Sequence, residues 1–203
     1  MRLGFLASNN GSSLRAIVSA IETGALAAQA RLVVSNRKAA PALAFAREHG
    51  LVAEFIPTVS DPAAADVRLV EVMRQADVEY IILSGYLRKL GARTLEAFSG
   101  RILNIHPALL PLHGGQGMYG RRVHEAVIAA DDRFTGATVH LVDREYDHGK
   151  IVAQVEIPVA PYDTPETLES RVMAAEPGLF VKTLKRLAAG TLVLPTPRSP
   201  AGA

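Results

Sequence analysis

Short apolar runs alternate with helical segments along most of this chain, and that alternation restricts its fold more than any other feature. The first four runs lie at residues 2–7, 31–35, 52–56 and 80–83, and between them apolar side chains recur at helical spacing. The fourth run is apolar throughout, as expected of a strand buried on both faces of a parallel sheet. This alternation of strands and helices predicts an α/β fold with a doubly wound, mostly parallel sheet.

The second half of the chain predicts a different arrangement after a fifth strand. That strand covers residues 102–106, and two longer runs follow at 135–142 and 151–159. The loop between the two longer runs exceeds a two-residue turn, and we expect them to pair as C-terminal antiparallel strands. A long helix is predicted to begin at Pro165, and Pro177 is expected to kink it or to end it.

The remaining helices and the end of the chain complete these expectations. Helices are predicted at about residues 14–21, 41–49, 62–73, 94–98 and 121–130. Residues 191–194 are expected to add an edge strand, and residues 196–203 are expected to form a disordered tail. Residues 1–195 are predicted to form one domain, which suits a chain of 203 residues.

Composition excludes several kinds of protein. The chain has no cysteine, so disulfides and thiolate metal sites are excluded. Its net charge is +2, and its basic residues do not form the stripe that a nucleic-acid surface requires. It has no apolar run of membrane-spanning length, and its amino terminus does not read as a signal peptide. We therefore expect a soluble cytoplasmic protein with no metal and with neither nucleic-acid nor membrane partners.

Two polar side chains interrupt the fifth predicted strand. Asn104 and His106 are two positions apart, so alternation places them on one face, and Pro107 ends the strand directly after them. Open α/β sheets bind their ligands at the carboxyl ends of their strands. Taken alone, these residues fit either a catalytic pocket or an ordinary strand end with a hydrogen-bonded Asn and a half-buried His.

A polar loop joins the first strand to the first helix. Its sequence SNNGSS ends in Gly11, which permits close approach, and in Ser12 and Ser13, either of which can cap the helix. A helix amino terminus offers free N–H groups and a favourable dipole to an anion. The loop is therefore a candidate phosphate site, although the same residues also suit a simple helix cap.

Ionisable groups gather in the loop at residues 143–150 and beside Pro177. The loop sequence DREYDHGK contains Asp147, and Glu176 directly precedes the proline. A loop of this composition can be a solvated tip or part of a site, and a carboxylate beside a helix break can face solvent or a cleft. The residues by themselves leave these alternatives open.

Several motifs together resemble one enzyme family. They are NIHP at residues 104–107, LLP at 109–111, Asp147 and Gly149 followed by Gln154, and NGSSL at 10–14. Through them the chain, from residue 1 to about 195, is similar to the phosphoribosylglycinamide formyltransferases, folate-dependent enzymes of purine biosynthesis. Ser13 stands where that family usually has Asn, and the glycine-rich loop at 114–120 differs from the family's commoner short form.

The resemblance implies a Rossmann-like formyltransferase fold. It also implies transfer of a formyl group from 10-formyltetrahydrofolate to the amine of glycinamide ribonucleotide, with Asn104, His106 and Asp147 as the catalytic residues. The oxygen that becomes negative when the amine adds needs a donor, which Asn104 or a protonated His106 would supply. Asp147 would move the protons between the two nitrogens, and its charge would favour the imidazolium form of His106.

The same resemblance implies the binding residues and partners. The phosphate would be bound by Asn10, Gly11, Ser12 and Ser13, and the ribose hydroxyls by Glu176. The folate would be bound by Leu87, Arg88, Leu90 and Tyr146, together with Asn104 and Asp147. The implied partners are these two small-molecule substrates; a homodimer is compatible with the sequence, which does not fix the oligomeric state.

Three other functions remain open at this point. A methionyl-tRNA formyltransferase shares the catalytic residues but usually has an added carboxyl-terminal domain that binds tRNA. A formyltetrahydrofolate hydrolase shares them too but usually has an amino-terminal regulatory domain, and we expect neither domain here. A non-catalytic phosphate-binding module would keep the polar loop before the first helix without needing all three catalytic residues.

Overall fold

A computed structural model describes residues 1–195, which form one mixed sheet with helices on both faces. The strands are β1 (Arg2–Leu6), β2 (Gln29–Ser35), β3 (Val52–Phe55), β4 (Tyr80–Leu83), β5 (Ile102–His106), β6 (Phe134–Leu141) and β7 (Ile151–Pro158). The helices are α1 (Ser12–Glu22), α2 (Pro41–Glu48), α3 (Pro62–Gln75), α4 (Ala92–Ala97), α5 (Arg121–Ala129) and α6 (Pro165–Ala188). These are the elements predicted from the sequence, with bounds shifted by a few residues. The tail expected at residues 196–203 lies outside the described residues.

The sheet has the strand order β3-β2-β1-β4-β5-β6-β7. Strands β1 to β5 pair in parallel, whereas β6 is antiparallel to both β5 and β7. The predicted fold class, a doubly wound and mostly parallel sheet with an antiparallel C-terminal pair and a long last helix, is confirmed. Winding reverses between β1 and β4, so the carboxyl ends of β1, β4 and β5 form the edge at which such sheets bind ligands.

Strand β1 shows how the two helical layers hold the sheet. Leu3 and Phe5 pack into a cluster with α1, α2 and α6, whereas Leu6 packs into a second cluster with α3. All three side chains are fully buried. A Cβ on Gly4 would lie 2.5 Å from Met73 Sδ, so glycine lets α3 approach the strand. Close packing on both faces makes the central strands a rigid base for the loops that follow them.

Helix α6 continues through Pro177, so of the two outcomes expected there the break is wrong and the kink stays a prediction. The proline removes only the hydrogen bond to the Met173 carbonyl. Val172 and Phe180, on either side of it, are both fully buried and anchor the two halves to the core. A capping box built on Thr164 fixes the start of the helix. Although α6 has 24 residues, no helix within residues 1–195 is long and apolar enough to cross a membrane.

The expectation of an edge strand at residues 191–194 is also wrong, because no strand forms there. The N–H groups of Thr191 and Leu192 both donate to the Arg186 carbonyl, at 3.0 and 3.1 Å. Gly190 has a φ of +70°, the left-handed conformation that ends many helices. This segment therefore satisfies the last carbonyls of α6, and its apolar side chains do not join the sheet.

Candidate active site

Asn104, His106 and Asp147 lie together at the carboxyl end of β5. His106 Nδ1 is 3.4 Å from Asp147 Oδ2. Asn104 Nδ2 is 3.1 Å from His140 Nε2, and that nitrogen is 3.5 Å from Asp147 Oδ1. The structure therefore brings the three sequence-predicted residues into one cluster, which His140 completes.

His140 belongs to this cluster although the sequence analysis did not single it out. It lies on β6 directly opposite Asn104 in the antiparallel register, and it is 2% exposed. Its Nδ1 donates to the Leu141 carbonyl at 2.8 Å, so in the neutral ring Nε2 accepts a proton of the Asn104 amide. The sequence does show a histidine within the apolar run TVHLV. Its place beside Asn104 becomes apparent only once β5 is known to pair with β6.

The ring of His106 is 3% exposed and has a defined proton position. Its Nε2 lies 2.8 Å from the His113 carbonyl oxygen, which can only accept, so Nε2 carries the proton. Burial lowers the pKa of His106 below its ordinary value, and the Asp147 carboxylate opposes this only in part. The expectation that Asp147 favours the imidazolium is right, since its charge raises the pKa of His106, but burial has the larger and opposite effect. His106 is therefore neutral near pH 7, and its unprotonated Nδ1 is the nitrogen nearest Asp147.

The Asp147 carboxylate is fixed by its backbone and by a neighbouring loop. Its φ of +55° lies in the left-handed region, which Asp and Asn tolerate better than most residues. Oδ2 accepts the Gly115 N–H at 3.0 Å. Burial alone would raise the pKa of Asp147, but the hydrogen bond and charge that His140 and His106 supply when protonated, together with the Gly115 N–H, lower it below its ordinary value. A Cβ on Gly149 would lie 1.8 Å from the Leu141 carbonyl oxygen, so glycine is required where this loop returns to β7.

The cluster combines a pair of proton acceptors with a hydrogen-bond donor. Neutral His106 Nδ1 and ionised Asp147 Oδ2 face each other, so a proton that enters between them would be shared by both. Asn104 has one amide proton committed to His140 and a second one free for a substrate oxygen. The arrangement suits a reaction that releases a proton and builds negative charge on an oxygen. Within residues 1–195, no group of three or more His, Cys, Asp or Glu side chains is arranged to hold a metal ion.

The loop between β1 and α1 leads into the helix as expected, but with a different cap. Gly11 is the N-cap residue, with a φ of +67°, and Ser12 is the first helical residue. Ser13 is 1% exposed, so its hydroxyl is not at the surface. The Leu14 N–H donates to Ser84 Oγ at 3.0 Å, which leaves the N–H groups of Ser12 and Ser13 without partners inside the helix. Capping by Ser12 or Ser13 is therefore wrong, but the N–H groups of these two residues have no partner within the helix and are available to an anion.

This amino terminus of α1 lies on the same sheet edge as the cluster around Asp147. Asn10, directly before the N-cap, is exposed. Strand β4 separates β1 from β5, so the loop and Asn104 are two strand spacings apart, roughly 10 Å. A ligand of that length would reach both.

Glu176 lies on α6, the helix that packs against α1. It is half-buried, and burial raises its pKa to about 7. A carboxyl group that is poorly solvated gains from hydrogen-bond donors supplied by a ligand. Its position and its pKa are compatible with binding hydroxyl groups.

Glu176→Gln is expected to remove a pH-dependent loss of stability. A carboxyl with a pKa of about 7 when folded and 4.5 when unfolded holds its proton longer in the folded chain. The free energy of unfolding therefore falls as the pH rises from about 4.5 to about 7. Because an amide does not ionise, the stability of the variant relative to the parent should rise by on the order of 1–3 kcal/mol between pH 4 and pH 8. Urea unfolding at both pH values tests this, and a constant difference would contradict it.

The residues expected to bind folate divide into two sets. Leu87 and Tyr146 are 52% and 45% exposed, and Lys89 Nζ lies 5.3 Å from the centre of the Tyr146 ring. The loops after β4 and β6 therefore face each other. Leu90 instead packs into the cluster with α3, and together with Arg88 it lines a cavity of about 120 Å³ on the α3 side. Tyr146 thus lies in the loop that carries Asp147, whereas Arg88 and Leu90 line the cavity beside α3.

The chain matches known proteins over most of its length. Residues 1–184 match the family described as formyl transferase. The chain is 37% identical over 188 residues to the chloroplastic phosphoribosylglycinamide formyltransferase of Vigna unguiculata. The aligned region covers 92% of this chain and 60% of that protein. It is 34% identical over 188 residues to the phosphoribosylglycinamide formyltransferase of Bacillus subtilis (strain 168). Here the aligned region covers 92% of this chain and 94% of that protein.

A solved structure has the same fold. The crystal structure of glycinamide ribonucleotide transformylase 1 from Symbiobacterium toebii aligns with a TM-score of 0.88 and 32% identity, covering 97% of this chain and 92% of that one. The chain spans less than two thirds of the length of the plant relatives, 60% for Vigna unguiculata and 64% for Arabidopsis thaliana.

Proposed function

The chain belongs to the formyl transferase family, and on that basis we propose that it transfers a formyl group from 10-formyltetrahydrofolate to the amine of glycinamide ribonucleotide. The observation that carries the proposal is the cluster of Asn104, His106 and Asp147 at the carboxyl end of β5. The proposal is also supported by relatives that match most of this chain and are named phosphoribosylglycinamide formyltransferase.

The first step needs a proton acceptor and a donor to oxygen. The amine nitrogen forms a bond to the formyl carbon, and the carbonyl electron pair moves onto the formyl oxygen. The free N–H of Asn104 donates to that oxygen as its negative charge grows. The proton released by the amine passes to His106 Nδ1 and is shared with Asp147.

The second step returns the site to its starting state. The electron pair on the formyl oxygen re-forms the carbonyl, the bond between the formyl carbon and the folate nitrogen breaks, and that nitrogen keeps the electron pair of the broken bond. The proton held between His106 and Asp147 moves to that nitrogen, directly or through water. The products are formylated ribonucleotide and tetrahydrofolate, with His106 again neutral and Asp147 again ionised.

The ribonucleotide lies along the sheet edge in this proposal. Its phosphate accepts the N–H groups of Ser12 and Ser13 at the amino terminus of α1, with Asn10 beside it. Its ribose hydroxyls donate to Glu176, and its amine reaches Asn104 past the end of β4. The folate lies between Leu87 and Tyr146, on the loops that flank the end of β5. A cytoplasmic location and a homodimer stay predictions from the sequence.

Gly11→Val is expected to raise the KM for the ribonucleotide about ten-fold or more while the affinity for a folate analogue stays nearly unchanged. A Cβ at this position would lie 3.2 Å from Leu14, and a branched side chain would block approach to the free N–H groups. Gly11→Asn is the control for backbone strain, because Asn accepts a positive φ. Equal damage to the binding of both substrates would mean that the loop is only structural.

The proposed function is tested by identifying which molecule accepts the formyl group. The purified chain is supplied with 10-formyltetrahydrofolate and with glycinamide ribonucleotide, methionyl-tRNA or water alone. We expect folate to be consumed only when the ribonucleotide is present. Formate release in water would indicate a hydrolase, formylation of the tRNA a different transferase, and no consumption at all a non-catalytic binding module.

A further inference from the structure

The backbone of residues 113–115 contacts both members of the proton-accepting pair. The His113 carbonyl accepts the Nε2 proton of His106 at 2.8 Å. Two residues later, the Gly115 N–H donates to Asp147 Oδ2 at 3.0 Å. The segment lies in a glycine-rich loop, yet it offers one acceptor to the imidazole and one donor to the carboxylate. Its position therefore determines how the two side chains face each other.

The backbone of this segment does not adopt its conformation without help. His113 has a φ of +52°, in the left-handed region that non-glycine residues seldom occupy. A Cβ on Gly114 would lie 2.5 Å from Leu110 and 3.2 Å from the Asp147 Cβ, so the loop passes close to both. Such a conformation persists only where surrounding contacts hold it.

The side chain of His113 supplies such a contact. Its Nε2 lies 2.5 Å from Asp132 Oδ2, and the two side chains are 17% and 28% exposed. Asp132 follows α5, and its N–H donates to the Val127 carbonyl of that helix at 3.3 Å. Val127 is fully buried. Asp132 is thus attached to a packed helix, and its contact with His113 ties the start of the glycine-rich loop to that helix.

We propose that His113 and Asp132 are positioning residues, which hold the His113 carbonyl so that His106 keeps its proton on Nε2 and presents Nδ1 to the reaction. The role rests on the proposed formyl transfer, since only a reaction at His106 makes its proton position matter. A hydrogen bond at one imidazole nitrogen selects which nitrogen is free. Without the pair, the carbonyl would lose its fixed direction, and the ring could exchange between both proton positions.

Two variants remove the pair by different routes. Asp132→Ala deletes the acceptor, and His113→Asn keeps a residue that tolerates positive φ but has too short a side chain to reach Asp132. Asp132→Asn is the conservative variant, because its amide oxygen can still accept the His113 Nε2 proton. Glu22→Ala is the matched control, since it breaks the His49–Glu22 pair, whose atoms are 2.6 Å apart and lie outside the site.

Two measurements follow, single-turnover transfer to glycinamide ribonucleotide and the ¹⁵N shifts of the His106 ring. We expect Asp132→Ala and His113→Asn to lower kcat about ten-fold or more with little change in KM. In both variants the two ring nitrogens should move from distinct shifts toward an average. Asp132→Asn should restore most of both readouts, and Glu22→Ala should change neither.

Unchanged ¹⁵N shifts in Asp132→Ala and His113→Asn, or turnover within two-fold of the parent, would overturn the proposal. A fall in melting temperature with normal shifts would likewise show that the pair only stabilises the loop. The ¹⁵N measurement needs no substrate, so it decides the positioning role even if the parent chain transfers no formyl group. That separates failure of this inference from failure of the proposed function.

Discussion

Replacing His106 with alanine is expected to lower kcat by about 100-fold or more, with KM for either substrate changed by a few-fold at most. The variant lacks Nδ1, the atom that accepts the proton of the amine in the proposed mechanism. In the proposed binding mode, the substrates are held chiefly by other residues, at the start of α1, on α6 and on the loops after β4 and β6. The loss should therefore appear in the transition state and much less in the bound substrates.

Stability must be measured beside activity, because His106 is 3% exposed and hydrogen-bonded to the His113 carbonyl. Leaving that carbonyl without its donor should cost about 1–2 kcal/mol. Assays well below the melting temperature keep this loss from lowering the folded fraction. His49→Ala is the matched control, since His49 is exposed and pairs with Glu22 on the surface. Turnover of His106→Ala within a few-fold of the parent would remove His106 from the mechanism.

Asp147→Asn is expected to lower kcat by about 100-fold or more while folding and ligand binding are largely kept. Asn tolerates the positive φ at this position as well as Asp does. Its amide oxygen can still accept the Gly115 N–H, so the loop should keep its place. The amide cannot share a proton with His106, so transfer from the amine to the folate nitrogen loses its acceptor. Single-turnover transfer together with the affinity for a folate analogue separates these effects.

The pH dependence of Asp147→Asn gives a second check with a definite sign. Burial lowers the pKa of His106, and the Asp147 charge opposes that effect. Activity that needs neutral His106 should rise with pH through this lowered pKa. Removing the charge should lower the pKa of His106 further, so the acid limb of the residual activity should move to lower pH. Near-normal transfer, or an acid limb shifted to higher pH, would contradict the proposed role of Asp147.

Local patterns in the sequence were sufficient for the elements and for part of the site. Strand β4 is apolar throughout and could be recognised as a buried parallel strand, and the alternation in β5 placed Asn104 and His106 on one face. The sequence also indicated that Asp147 belongs with them, through motifs that resemble a family. These inferences depend on residues close in sequence, or on a pattern already known.

Features that depend on pairing between distant residues were missed. His140 meets Asn104 only because β6 lies antiparallel to β5, and His113 meets Asp132 only because the turn that follows α5 lies beside the loop after β5. Ser84 takes the Leu14 N–H from a loop 70 positions away, so capping by Ser12 or Ser13 was the wrong expectation. Likewise, Thr191 reads as a strand residue but completes the end of α6, because the carbonyls there need donors.

Transfer of a labelled formyl group in a single turnover distinguishes formylation of the ribonucleotide from hydrolysis of the folate. The enzyme, in excess, is mixed with ¹³C-formyl tetrahydrofolate and glycinamide ribonucleotide, and the quenched products are analysed for the position of the label. We expect one labelled formamide on the ribonucleotide for each formylated folate consumed, no labelled formate, and no consumption when the ribonucleotide is left out. Labelled formate in the absence of ribonucleotide, or unchanged folate in its presence, would contradict it.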